Sequence, residues 1–306
     1  MERRSIFSLI FIILVVLLLV VYWFIPYNTI DFDMVSSGAN FNLEGNNDTT
    51  GMQFYKNMRF PEPNISYKID DCPLQKKNDM EQAFEIVANL TMLDFYAVEN
   101  NEEILVTCDS DVKVDGNMFI AGEGGPVNIT QAGDYNVIFK GQVLLIKDST
   151  CQRPNVAIHE LLHVLGFDHS ENSNNIMYPV SKCKQIIGND TMELINKIYS
   201  VPSYPDLALE NVSAVMHGKY FDTNISIKNL GFKNSSSAQI LIYADDKFVE
   251  FISLEPLEVG YGKMIMLTNH RILQLSVKEL SFMIETDFEE LDKENNILNL
   301  TLRNST

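Results

Sequence analysis

The chain has 306 residues and a formal net charge of -18, from 23 Lys+Arg against 41 Asp+Glu. That length suits two modest domains plus a tether. The acidity excludes nucleic acid as a partner, because phosphate backbones are gripped by basic patches, and otherwise describes a soluble, self-repelling surface.

The first element is an almost unbroken apolar run from Ile6 to Ile25. At 1.5 Å per residue it spans roughly 30 Å, the thickness of a bilayer's hydrocarbon core. Arg3 and Arg4 precede the run, Asp31 and Asp33 follow it, and Tyr22 and Trp23 stand where an aromatic belt belongs. The positive-inside rule then leaves residues 1-5 in the cytoplasm and everything after 25 outside. A cleaved signal peptide is the alternative; it would carry a shorter run of ~7–15 residues and a small-x-small cleavage site, which this segment lacks. The expectation is a single-pass cell-membrane protein with an uncleaved signal anchor at 6-25, the membrane being one of its partners.

Residues 26-52 are polar and turn-rich, ending in Glu44-Gly-Asn-Asn-Asp-Thr-Thr-Gly51, and read as a flexible stalk. Glycosylation acceptor sites lie at Asn47, Asn64, Asn89, Asn128, Asn189, Asn211, Asn224, Asn234, Asn299 and Asn304, all beyond the apolar run. Chance alone would give about three in this composition. The cysteines, Cys72, Cys108, Cys151 and Cys183, are even in number, also lie beyond the run, and include no CxxC pair. They suit disulfides in an oxidising compartment, with three connectivities open.

Residues 53-201 read as an α+β unit. Ile65 to Ile69 alternates as a strand, and Met80, Ala83, Phe84, Val87 and Leu90 recur at helical spacing through Gln75 to Met92. Short strands follow at Phe95 to Val98, Glu103 to Thr107, Val127 to Thr130 and Asn136 to Lys147. A break at Val201-Pro-Ser-Tyr-Pro205 ends the unit. Residues 202-306 then alternate at Leu207 to Val215, Phe221 to Lys228, Ala238 to Tyr243, Met264 to Leu267, Leu280 to Glu285 and Ile297 to Leu302, the spacing of an all-β sandwich.

The strongest chemical signal is His159-Glu160-Leu-Leu-His163-Val-Leu-Gly166-Phe-Asp-His169, followed by Met177-Tyr-Pro179. On a helix His159 and His163 are one turn apart and face the same way, so their imidazoles can share one metal. Gly166 can adopt the left-handed backbone that ends the helix, and the reversal brings His169 in as a third ligand with a position left open. A lone histidine is usually a hydrogen-bonded core or surface residue, which is the reading for His217 and His270. Five residues at these offsets arise by chance on the order of once in a hundred thousand such chains. Three neutral ligands leave Zn2+ its full charge to polarise a carbonyl and activate water, with Glu160 placed as general base. Met177 serves as a soft packed floor rather than a ligand. These parts add up to peptide hydrolysis.

At these residues the chain resembles the metzincin metallopeptidases, and Met177-Tyr-Pro179 is most similar to the matrixin branch. The resemblance covers about 57-199 and implies a metzincin-like fold: a mixed twisted sheet with three helices, the last at Thr191 to Tyr199. It implies one catalytic zinc held by His159, His163 and His169, and protein or peptide substrates outside the cell. It also implies that Cys72 pairs with Cys108, leaving Cys151 and Cys183 to bracket the active-site helix and Met-turn. Substrate would add as an antiparallel strand beside Val127, Asn128, Ile129 and Thr130, with Tyr178 and Pro179 near it, although a glycan on Asn128 would obstruct this. No histidine lies between Cys108 and Lys147, so a second, structural zinc of the matrixin kind is not expected, and no Pro-Arg-Cys-Gly-type switch is present. Calcium is not predicted either: Asp109, Asp111 and Asp115 lack EF-hand spacing and read as a solvated acidic turn.

The last 105 or so residues are similar to CARDB-type immunoglobulin-like modules through Asp206-Leu-Ala-Leu, Ile227-Lys-Asn-Leu-Gly231 and Glu294-Asn-Asn296. Such modules space or bind. Two other functions stay open at this point: a surface adhesion or scaffold protein with a vestigial zinc site, and a zinc hydrolase of non-peptide amides. The intact Glu160 argues against the first, since a purely structural site needs no general base.

Overall fold

In a computed structural model, residues 13–17, 51–110, 114–115, 118–148, 151–217, 219–272 and 277–301 are described. The expected membrane run, except for helical residues 13–17, lies outside them, as do the stalk through residue 50, Asn47, Asp111 and Asn304. Among the described residues no helix is long and apolar enough to cross a membrane. The chain is mixed α/β, with few helices and many strands.

The first body is a six-stranded sheet. Its strands are β1 (Met58–Arg59), β2 (Asn64–Ile69), β3 (Asp94–Ala97), β4 (Ile104–Cys108), β7 (Gly122–Ala132) and β8 (Tyr135–Leu145). A small ribbon of β5 (Val114–Asp115) and β6 (Met118–Phe119) precedes β7. β8 runs parallel to β1 and β4, β4 to β2, and β2 to β3. Only β7 is antiparallel; it pairs along the length of β8 and forms a sheet edge.

Helix α1 (Leu74–Leu90) lays Met80, Ala83, Phe84 and Val87 on this sheet, the i, i+3, i+4, i+7 stripe of an amphipathic helix. Leu90, expected on the same stripe, is exposed because the helix ends there, Thr91 being extended. Phe84 stacks on Tyr67 with ring centroids 4.1 Å apart and meets Phe95 at 4.9 Å, tying α1 to β2 and β3. Disulfide Cys72–Cys108 joins the start of α1 to the end of β4, and Cys151–Cys183 closes the loop containing α2 (Asn155–Val164). Both pairings agree with the resemblance. Helix α3 (Asn189–Tyr199) completes the body.

The second body has two antiparallel sheets around one core. One contains β9 (Leu207–His217), β10 (Tyr220–Asn229) and β13 (Gly262–Arg271). The other contains β11 (Ala238–Ala244), β12 (Lys247–Leu254), β14 (Glu279–Glu285) and β15 (Ile297–Thr301). Inward residues from both sheets, such as Ile225, Ile227, Ile240, Ile242 and Phe282, are fully buried together. Strand β12 is absent from the sequence reading. A register shift opposite Ile242 and Tyr243 breaks its two-residue alternation, so Lys247–Leu254 shows no clean apolar face.

The bodies meet at a packed joint. Phe232 is buried with Ala132, Val137 and Val259, and its ring meets Tyr135 edge-on at 4.8 Å. Lys233 pairs with Glu62 at 2.6 Å. Residues 201–206 contain no helix or strand, yet Ser203 is buried and accepts a hydrogen bond from Arg59 at 2.9 Å. Two prolines stop α3 from continuing, and packing then holds what the backbone leaves irregular.

Candidate metal centre

Helix α2 is buried on every side: Ala157, Ile158, Leu161, Leu162 and Val164 are core residues, and His159, Glu160 and His163 are buried with them. Each of the large apolar side chains contributes roughly 1.5–3 kcal/mol on burial, so the helix is held firmly enough to carry polar groups inside. It ends at Gly166, whose φ of +93° lies in the region open to glycine and whose N–H returns to His163 O at 2.9 Å. The chain reverses there and brings in the exposed His169.

The three histidine Nε2 atoms converge. His163 Nε2 lies 3.0 Å from His159 Nε2 and 3.2 Å from His169 Nε2, and the candidate ligand atoms all fall within 4.8 Å of one another. Tautomers follow from the partners on the other side of two rings. His159 Nδ1 is 2.7 Å from Ile176 O, and His163 Nδ1 is 2.7 Å from Phe167 O. A carbonyl only accepts, so each Nδ1 carries the proton and each Nε2 presents a lone pair. Burial lowers the pKa of all three rings, that of His163 to about 3, with His159 as the next cause there. Buried, neutral nitrogens aimed at one another repel unless a cation lies between them. Nitrogens about 2.0–2.1 Å from a tetrahedral zinc would sit at about this mutual spacing. The three histidines are thus positioned to bind a metal ion.

Burial pushes the Glu160 carboxyl up to about 8, with Glu123 adding to the shift. Positive charge at the histidine nitrogens opposes that shift. Strand β7 comes against this residue through its glycines. A Cβ on Gly122 would lie 2.8 Å from Glu160 Cγ, and one on Gly124 would collide with the Glu160 carbonyl. These glycines are site residues that sequence reasoning missed; their spacing of two on a strand is the signal of a face that must stay bare. Asn128, Ile129 and Thr130 continue the same edge strand, paired with Lys140, Ile138 and Val137. Met177 is 2 % exposed, and its carbonyl accepts from Ser170 N at 2.8 Å, just after His169. Tyr178 is half-buried and Pro179 exposed. His270 belongs to the second body, where it pairs with Glu250.

An edge-stranded mixed sheet, a buried helix and three converging histidines, two of them with matched tautomers, define a metallopeptidase-like centre. The matrixin description (peptidase M10) matches residues 30–200, more than half of the chain, and the chain belongs to that family. The human (Homo sapiens) matrix metalloproteinase-26 is 29% identical over 127 residues, 38% of this chain and 46% of the human protein, so the chain spans less than half of that relative. Among solved structures, a CARDB domain from Pyrococcus furiosus, in complex with di-metal ions, is similar with a TM-score of 0.28 at 18% identity, covering 32% of this chain and 88% of that one. High choriolytic enzyme 1, a hatching enzyme zinc-protease from the medaka fish Oryzias latipes, gives 0.23 at 20%, covering 36% of this chain and 46% of that one. Zinc is the metal that the matrixin family implies.

Proposed function

We propose that the chain is a membrane-anchored extracellular zinc endopeptidase. The observation that carries this reading is the convergence of three histidine Nε2 atoms beside Glu160, a buried carboxyl on the helix that carries two of them. His159, His163 and His169 would hold the ion, which when bound supplies a Lewis acid that polarises a peptide carbonyl and activates water. Glu160 would take the proton of the attacking water and deliver it to the departing amine; burial raises its proton affinity, and the positive charge of a bound ion would counter that rise and favour the carboxylate form that acts as base. Met177 floors the histidines. Edge strand β7 offers backbone groups to an extended peptide, with Gly122 and Gly124 flanking Glu160 and Val127 to Thr130 farther along. Tyr178 and Pro179 follow the floor of the site.

The domains we assign are a cytoplasmic 1-5, an anchor at 6-25, a stalk at 26-52, a metzincin-like catalytic domain at 53-201 and an immunoglobulin-like sandwich at 202-306. The two disulfides suit an oxidising exterior. Asn64, Asn89, Asn189, Asn211, Asn224, Asn234 and Asn299 are exposed, which supports their glycosylation; Asn128, also exposed, has to stay free of sugar for a peptide to pair beside it. A casein or gelatin assay tests the activity: cleavage by the purified ectodomain, abolished by chelator and by Glu160→Ala, supports the proposal. One zinc bound without protein cleavage would favour a scaffold or a hydrolase of other amides.

A further inference from the structure

Three residues outside the histidine motif build one wall of the metal centre. Met52 O accepts from Asp168 N at 3.0 Å, Phe54 N donates to Gly166 O at 2.9 Å, and Gln53 forms an antiparallel bridge with Phe167. The segment so bridged lies on the turn that carries the chain from His163 to His169. Phe167 is also the residue whose carbonyl accepts the hydrogen bond from His163 Nδ1–H. The Phe54 ring stacks on the His163 ring, with centroids 5.6 Å apart and planes 21° apart.

The segment is itself fastened. The Gln53 side chain is buried; its Nε2 donates to Met58 O at 3.0 Å and its Oε1 accepts from Met58 N at 3.1 Å. A side-chain amide serves a carbonyl and an N–H at once, its NH2 donating and its oxygen accepting. Met58 in turn packs against Gly166, where an added Cβ would come within 2.6 Å of the Met58 Cβ.

We propose that Met52–Phe54 is a positioning segment for the metal site: it fixes the plane of the His163 ring and the turn that delivers His169. The inference rests on the zinc reading above. It also means that the junction between the stalk and the catalytic body is part of the metal centre's support, because the same three residues stand at that junction.

The test uses the whole ectodomain, with zinc affinity measured by chelator competition and the site geometry read from the visible absorption of the cobalt-substituted protein. Wild type should bind one zinc per chain. Phe54→Ala and Gln53→Ala should each weaken zinc binding by roughly 10–100-fold, the range for groups that orient metal ligands, and alter the cobalt spectrum. Phe54→Tyr, which keeps the stacked ring, should restore both. If Phe54→Ala fails to fold, Phe54→Leu keeps apolar volume without the ring face and should show the same loss. Zinc affinities within twofold of wild type in Phe54→Leu and Gln53→Ala overturn the inference. A folded wild type that binds no zinc overturns it together with the reading on which it rests.

Discussion

Two buried polar clusters in this molecule have opposite bookkeeping. At the joint between the bodies, the Arg59 guanidinium is fully buried and every donor is used. Nε reaches Phe60 O at 3.0 Å, Nη1 reaches Ile198 O and Val201 O at 2.9 Å, and Nη2 reaches Pro61 O at 3.0 Å and Ser203 Oγ at 2.9 Å. The rings of Tyr199 and Phe232 lie against it at 4.7 and 4.2 Å. In the metal centre, three nitrogens are brought together with nothing but each other to face. A satisfied cluster is complete as folded and stabilises; an unsatisfied one is complete only with a ligand and so marks function.

His163→Ala should break the contrast most strongly. It should abolish zinc binding and proteolysis, and because the buried ring stacks on Phe54 and its Nδ1–H serves Phe167 O, the chelated protein should also melt somewhat lower, with no recovery on adding zinc. Zinc that still raises the melting temperature of the variant as it does the parent's would overturn the ligand role of His163.

Glu160→Ala should keep its zinc and lose roughly 10²–10⁴-fold in peptide cleavage, a pair of readings obtained from metal analysis and single-turnover assay. At the joint, Arg59→Met should destabilise by at least about 1–3 kcal/mol, because the Phe60, Ile198, Val201 and Pro61 carbonyls lose their donor, with zinc stoichiometry unchanged. Chemical denaturation together with metal analysis separates those two effects.

The smallest effect concerns Asp206. Burial raises its pKa, opposed first by the hydrogen bond from Asn295. A raised carboxyl pKa means that the folded state holds the proton more tightly, so its contribution to stability is present below the unfolded value, near pH 4, and is lost as pH rises through the folded value. Asp206→Asn, which resembles the protonated form, should therefore gain stability relative to wild type as pH rises from about 3.5 to 7. Melting curves across that range check the sign; a difference independent of pH would refute it.

Legibility from sequence followed how local the controlling physics was. The helix bearing His159, Glu160 and His163, the glycine that ends it and the return of His169 were readable, because helical period, backbone freedom and ligand spacing all act within about a dozen residues. Most strands were readable for the same reason, whereas β12 was hidden by a bulge that moves its side chains out of step. Gly122 and Gly124 carried a weak signal whose meaning depends on which helix the strand meets.

Composition, the apolar run, the histidine motif and the alternating C-terminal segments were set by order along the chain alone. Folding had to decide which residues support the motif from elsewhere. Phe54 comes onto His163, Gln53 onto Phe167, and Arg59 into a nest made by residues 198–203 and closed by Phe232. Such contacts depend on shape and hydrogen-bond geometry between segments distant in sequence, and no periodicity encodes them.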